Sequence, residues 1–303
     1  MSWCADDIPD LSGKVALVTG GNGGIGYWTG LHLARKGAQV MLACRSPARA
    51  EAALATMRAA APTARIDSVP LDLADLASVR NAAAEFAGQH RRLDILCLNA
   101  GIALSPMGRT QDGFESQFGS NFLGHFALTG QLIDVIRATP DCRVVHVGSL
   151  AHRIGRIDLD DPNFERRRYS PWRGYGQSKL ANVMFMLELE RRFRRHDLRA
   201  ISVGAHPGFS ATNIAASVPF ANWPPMHRMF ASRIQTPEQG ARPSLYAATA
   251  AEVSGGSYCG PSGWLELKGT PGPARVARAA HDEAVAQGLW NVAEQLTATR
   301  FLD

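Results

Sequence analysis

The chain lacks the features that would place it in a membrane, outside the cell or around a metal. Its first residues, MSWCADDIPDLSGK, contain no apolar run of signal-peptide or membrane-spanning length. A soluble, cytoplasmic protein without a transmembrane segment is therefore expected. Five cysteines, Cys4, Cys44, Cys97, Cys142 and Cys259, are odd in number and show no CxxC spacing, which fits a reducing compartment. Cys44 and Cys97 end apolar runs and read as small buried side chains. His125, His152 and His206 are scattered without ligand spacing, so no metal site is expected. No repeat and no Pro/Gly/Ser-rich linker divides the chain, and residues 1–303 read as one domain.

The net charge of +5 and pI of about 9.1 raise the question of a nucleic-acid partner. The excess lies in Arg166-Arg167-Arg168 and in Arg191, Arg192, Arg194 and Arg195. No aromatic-interleaved platform or helix-turn-helix phrase accompanies either cluster. The second ends an amphipathic helix, where cations suit the dipole. A solvated surface is the expectation, with no nucleic acid.

What is present is an enzyme-sized α/β pattern. At 46% hydrophobic and 19% charged, 303 residues can bury a substantial core. Apolar runs near 14–19, 38–44, 65–71, 94–99, 143–148 and 199–205 read as strands. A later strand is expected around 257–259. Helical stretches near 24–36, 47–60, 74–88, 112–138, 174–195 and 237–250 alternate with them. This alternation predicts a doubly wound parallel sheet with helices on both faces.

Between the first strand and helix lies Gly20-Gly-Asn22-Gly-Gly24-Ile25-Gly26. Glycines there allow a tight turn and let backbone N–H groups approach a pyrophosphate at the positive end of a helix. In that context the turn points to dinucleotide binding. Tyr175 and Lys179 stand four residues apart in GYGQSKLANV, one helical turn apart on one face. A phenol ionises near pH 10 when unperturbed, about three units too high for neutral acid-base work. A neighbouring ammonium is expected to lower it.

With Thr19-Gly-x-x-x-Gly-Ile-Gly26 and Tyr175-x-x-x-Lys179, the chain resembles the short-chain dehydrogenase/reductase family from about Leu11 to Thr212. Asn99-Ala100-Gly101 matches the turn after that family's fourth strand, and Asp72-Leu73 its acid-bearing turn beside the adenine. Asn121 in SNFLGHFALTG, Ser149 after the fifth strand, and His206-Pro207-Gly208 with Thr212 match its remaining landmarks. The resemblance implies a Rossmann-type domain with seven parallel strands in the order 3-2-1-4-5-6-7. It implies catalysis by Asn121, Ser149, Tyr175 and Lys179. It also implies cofactor contacts from Gly20, Asn22, Gly24, Ile25, Gly26, Asp72, Leu73, Asn99, Ala100, Gly101, Tyr175, Lys179, Pro207, Gly208 and Thr212. Gly148 departs from the pattern by standing where relatives usually carry a serine. The separation of 26 positions between Ser149 and Tyr175 is also longer than usual. That insertion, with QSKLANVMF and NFLGHFALT, resembles the retinol-dehydrogenase-like and WW-domain-oxidoreductase-like branch.

Arg45 ends the second strand where an NAD enzyme usually places an acid, so it is read as a cofactor contact and NADP(H) is expected over NAD(H). The segment near 213–236 holds Phe220, Trp223, Met226, Met229 and Phe230, suited to covering an apolar carbonyl or alcohol substrate or to packing on a partner. A non-catalytic redox sensor or scaffold and an epimerase are the rival readings. The intact Ser149, Tyr175 and Lys179 set argues against the first, and the short stretch beyond Thr212 against the second. A terminal helix near 275–299 and a homo-oligomer, common in the family, complete the expectations.

Overall fold

A computed structural model describes residues 3–210 and 235–303. Thr212 and the substrate-covering segment, apart from Gln235 and Thr236, lie outside the described residues. Strand β1 (Val15–Thr19) is buried along its whole length, as a β-branched run in the middle of a covered parallel sheet should be. It is followed by α1 (Gly24–Arg35), β2 (Gln39–Cys44), α2 (Pro47–Ala60), β3 (Ile66–Pro70), α3 (Leu76–Gln89) and β4 (Ile95–Leu98). Ser46 caps α2 by accepting from the Arg49 N–H, with Pro47 in the first helical turn; Asp75 caps α3 through the Ala77 and Ser78 N–H groups. Next come β5 (Arg143–Val147), β6 (Ile201–Ala205) and β7 (Tyr258–Pro261).

The sheet order is β3-β2-β1-β4-β5-β6-β7-β8. The first seven strands pair in parallel as expected. The eighth, β8 (Pro271–Pro273), was not anticipated and runs antiparallel to β7. A Pro-Gly-Pro strand has too few N–H donors for an interior position and is tolerated at an edge.

Two further expectations need correcting. The stretch near 112–138 is not one helix. It breaks into α4 (Ser116–Phe118), a π-turn (Gly119–Leu123), α5 (Gly124–Gln131) and α6 (Ile133–Ala138). The terminal helix is shorter than 275–299. A 3-10 turn (Arg278–His281) precedes the helix Glu283–Thr297, which Asp282 caps through the Val285 N–H.

The sheet separates two apolar cores. On one face Phe126 meets Phe122, Phe185, Trp290 and Phe301 at centroid distances of 4.9–6.1 Å. Removing one such ring generally costs about 3–5 kcal/mol. Arg192 joins this core instead of the solvated surface expected of its cluster. It is 4% exposed, pairs with Glu188 at 2.9 Å, lies 4.0 Å over the Trp290 ring and donates to the Leu302 carbonyl. The long helix α7 (Pro171–Arg195) therefore carries Tyr175 at one end and a buried ion pair holding the C-terminus at the other. Among the described residues, no helix is long and apolar enough to cross a membrane.

Candidate active site

At the carboxyl ends of the strands, β1 lies between β2 and β4, so successive connections leave the sheet in opposite directions and open a crevice. A cleft of about 1010 Å³ fills it. Of the residues singled out in the sequence, Gly20, Asn22, Gly24, Ile25, Arg45, Asp72, Leu73, Asn99, Ala100, Gly101, Ser149, Tyr175, Lys179, Pro207 and Gly208 line it. Gly26 and Asn121 lie one layer behind.

The glycine-rich turn has the backbone that its composition suggests. Gly20 (φ 67°) and Gly24 (φ 54°) are left-handed, a region in which side chains are disfavoured. Gly26 serves close packing, since a Cβ there would sit 2.5 Å from Asn99 Nδ2 and run into the Gly20 carbonyl. Thr19, wholly buried, ties this turn to the one after β4. Its hydroxyl accepts from the Asn99 and Ala100 N–H groups, both at 2.9 Å, and Asn99 Nδ2 donates to its carbonyl at 2.8 Å.

His125 extends the tie to the π-turn. Its Nδ1 faces the Asn121 carbonyl at 2.9 Å and must carry the proton, because a carbonyl can only accept. Burial lowers its pKa to about 4, so the ring is neutral and Nε2 accepts from the Thr19 hydroxyl at 2.9 Å. The Asn121 side chain closes the other side. Its Oδ1 accepts from Ile102 N–H at 2.8 Å, and Nδ2 donates to the Ile102 carbonyl and to Ser178 Oγ, both at 2.9 Å. Ser178 Oγ donates to the Tyr175 carbonyl at 2.9 Å. The helix break is thereby bonded to α7 and to the turn after β4. Pattern reading misses His125 because the signal is a contact across 106 residues.

Ser149, just past the end of β5, caps the 3-10 turn Leu150–Ile154, and it lines the cleft together with Tyr175. Lys179 Nζ donates to the Val147 carbonyl at 3.0 Å and lies 5.9 Å from the Tyr175 ring centroid. The expected lowering of the phenol is reversed here. Burial pushes the Tyr175 pKa up, only partly offset by the neighbouring Ser149 hydroxyl. Burial likewise lowers Lys179 to about 8. At 7% and 3% exposure, desolvation of each charged form outweighs the proximity of the pair.

Arg49 and Trp172 are among the cleft residues that escaped the sequence reading. Arg49, in the first turn of α2, lines the same end as Arg45. Trp172 lines the other end, 45% exposed, one turn before Tyr175 on the same helix, a spacing readable in advance. The insertion between Ser149 and Tyr175 braces that wall. The Asp161 carboxylate accepts from the N–H groups of Glu165, Arg166 and Arg167, and Tyr169 Oη donates to the Ser105 carbonyl at 2.8 Å.

These residues fit a nicotinamide dinucleotide. A glycine cradle that side chains would fill opens at a helix start, the cleft continues to Tyr175, and among the described residues its lining cations are Arg45, Arg49 and Lys179 against the single acid Asp72.

Comparison with known proteins agrees. The sequence pattern of the short chain dehydrogenase family matches residues 14–222. Retinol dehydrogenase 13 of Homo sapiens is 40% identical over 289 residues, spanning 92% of this chain and 83% of that protein. The short chain dehydrogenase/reductase dpchH of Colletotrichum higginsianum is 37% identical, spanning 96% and 76%. The crystal structure of an uncharacterized protein from Mycobacterium paratuberculosis has a TM-score of 0.83 at 40% identity, covering 99% of both chains. The Pseudomonas aeruginosa RhlG/NADP complex shares the fold, with a TM-score of 0.66 at 23% identity over 82% of this chain and 94% of that one. The chain belongs to the short-chain dehydrogenase/reductase family, in its retinol-dehydrogenase-like branch, and is a nicotinamide-dependent oxidoreductase of alcohol and carbonyl groups.

Proposed function

We propose that the protein interconverts an apolar aldehyde or ketone and its alcohol with NADP(H), and that Tyr175 moves the proton. The observation that carries this reading is one continuous cleft lined by Arg45 and Arg49 and also by Ser149, Tyr175 and Lys179. A guanidinium grips phosphate oxygens with paired hydrogen bonds, so two of them suit the extra phosphate of NADP(H). Gly20, Asn22, Gly24 and Ile25 would hold the pyrophosphate, Asp72 and Leu73 the adenine end, and Asn99, Ala100, Gly101, Pro207 and Gly208 the part leading to the nicotinamide. When bound, the nicotinamide supplies or accepts a hydride at the reacting carbon.

The chain's own residues do the rest. Ser149 orients the substrate oxygen by hydrogen bonding. Tyr175 donates a proton to that oxygen during reduction and takes it back during oxidation. Burial pushes the phenol up and makes it a weaker acid, so proton donation relies on the neighbouring Lys179 charge to offset that rise. Lys179 provides the charge that eases transfer once substrate displaces water, and Asn121 keeps the backbone behind it in place. Apolar side chains at the mouth, Leu104, Leu150 and Trp172, favour a hydrophobic substrate, and the likeness to retinol dehydrogenase 13 supports that class.

A panel of apolar aldehydes and ketones, followed by loss of NADPH absorbance, tests the proposal. At least one should be reduced with net NADPH consumption. Tyr175→Phe should lower kcat by about 10²–10⁴-fold while NADPH still binds. Turnover near the wild-type rate in that variant would remove the assignment.

A further inference from the structure

Behind the cleft, a turn far along the chain reaches both the loop after β6 and the turn that Ser149 caps. It is the 3-10 segment Trp264–Glu266, in which Leu265 (φ 52°) and Glu266 (φ 57°) are both left-handed. Side-chain-bearing residues adopt that region when their surroundings impose it. The surroundings here are a carboxylate with every oxygen engaged. Glu266 Oε2 accepts from Arg153 Nη2 and lies 3.0 Å from His206 Nε2, while Oε1 accepts from the Arg275 N–H at 3.2 Å.

Two of these partners, His206 and Arg153, belong to segments whose neighbouring residues line the cleft. His206 is wholly buried, and its Nδ1 accepts from the Gly208 N–H at 3.2 Å, so Nε2 holds the proton that faces Glu266. Gly260 leaves the space, since a Cβ there would run into the imidazole. The Leu267 carbonyl, next in the turn, accepts from the Phe209 N–H at 2.8 Å and from Gln235 Nε2 at 3.2 Å. Arg153 lies in the turn Leu150–Ile154. There His152 Nδ1 donates to the Ser149 carbonyl, and His152 Nε2 accepts from the Ala277 N–H at 3.1 Å. The three links therefore join loop 206–209, turn 149–154 and the strand-edge segment 266–277.

We infer that Glu266 is a positioning residue, whose carboxylate braces the loop 206–209 against the Ser149 turn and holds the two walls in reacting register. The inference rests on the proposed function, in which one wall flanks the cofactor and the other carries Ser149. Glutamine cannot replace this carboxylate. Both of its oxygens face donors, so an amide nitrogen at either would oppose an N–H. Misplacement of reacting groups by about 1 Å can cost about 10²-fold in rate.

The test uses the full chain with Glu266→Gln and Arg153→Gln, singly and together, at a temperature where circular dichroism shows each folded. Measured are kcat and KM for the best carbonyl of the panel, and NADPH affinity by fluorescence titration. Each single variant should lose about tenfold or more in kcat per folded site and bind NADPH about threefold or more weakly. The double variant should lose little beyond the worse single one, because both break one brace. A structural role alone would lower the melting temperature and leave kcat per folded site unchanged. That result, or additive losses in the double variant, overturns the brace. If Glu266→Gln does not fold, Arg153→Gln, at a side chain 34% exposed, carries the same expectation. If the wild type reduces nothing on the panel, the proposed function falls. The brace is then judged by NADPH titration, where unchanged affinity in Glu266→Gln overturns it.

Discussion

Gly148 shows how a single residue is explained by another 110 positions away. Relatives usually carry serine there, and a Cβ at 148 would run into the Tyr258 hydroxyl, with ring carbons at 3.2 Å. Tyr258 is 4% exposed, and its hydroxyl has no hydrogen-bond partner among the described residues. A buried unpaired hydroxyl costs about 1–3 kcal/mol, so Tyr258→Phe should be as stable as the wild type or more so. Gly148→Ala should cost about 1–3 kcal/mol by overpacking, and clearly less in the Tyr258→Phe background. Urea unfolding of the four proteins measures this, and an equal cost in both backgrounds would refute the exchange. Arg45 is the other informative position. Arg45→Asp should weaken NADPH binding at least tenfold and NADH binding far less, because a carboxylate repels a phosphate that Arg45 would grip. Equal losses in titrations with both cofactors would count against the NADP(H) preference.

At the scale of elements, the cleft depends on how closely the Ser149 turn approaches α7. Gly155 ends that turn. A Cβ on it would strike the Gly176 carbonyl and lie 2.7 Å from Leu180 Cβ. Gly155→Ala should therefore push the turn from the helix, costing about 1–3 kcal/mol and at least tenfold in kcat through misalignment of Ser149 and Tyr175. Gly88→Ala, in α3 with nothing within 4 Å of the added Cβ, should leave activity unchanged and gain up to about 1 kcal/mol. Similar kinetics in the two variants would contradict the close-contact argument. Most strands and helices were legible because apolar runs and caps act within a few residues. The break at Gly119–Leu123 was legible only through the family likeness, in which the helix bends at the position of Asn121, since SNFLGHFALTG by its own pattern reads as continuous helix. The bond of Asn121 to Ile102 and of His125 to Thr19 decides where the backbone changes pattern. Three residues of Pro-Gly-Pro likewise carry a turn signal, and only the edge of β7 makes them a strand.

For the whole molecule, burial sets the response to acid. His125 and His146 lie between the sheet and its helices, and desolvation lowers them to about 4 and about 3. Their unfolded value is about 6.5. Between those values the unfolded chain binds protons that the native chain refuses, so stability falls as pH falls. The loss should begin near pH 6.5 and reach up to about 1.4 kcal/mol per pH unit for each histidine. Denaturant unfolding at pH 7.5, 6.5, 5.5 and 5 measures it. A flat profile down to pH 5, where most carboxylates are still ionised, would mean that these rings do not stay neutral.

The sequence alone determined what depends on neighbours along the chain: the strand–helix alternation, the glycine turn, and the one-turn spacing of Tyr175 and Lys179. Fifteen of the site residues that it singled out line one cleft. Only the tertiary structure decided what depends on water and on distant partners. It buried Arg192 against Trp290, raised the Tyr175 phenol where proximity had predicted lowering, and brought Glu266 to His206 and Arg153. Local spacing fixes which way a side chain points, whereas desolvation and long-range contact exist only after the chain has closed around it.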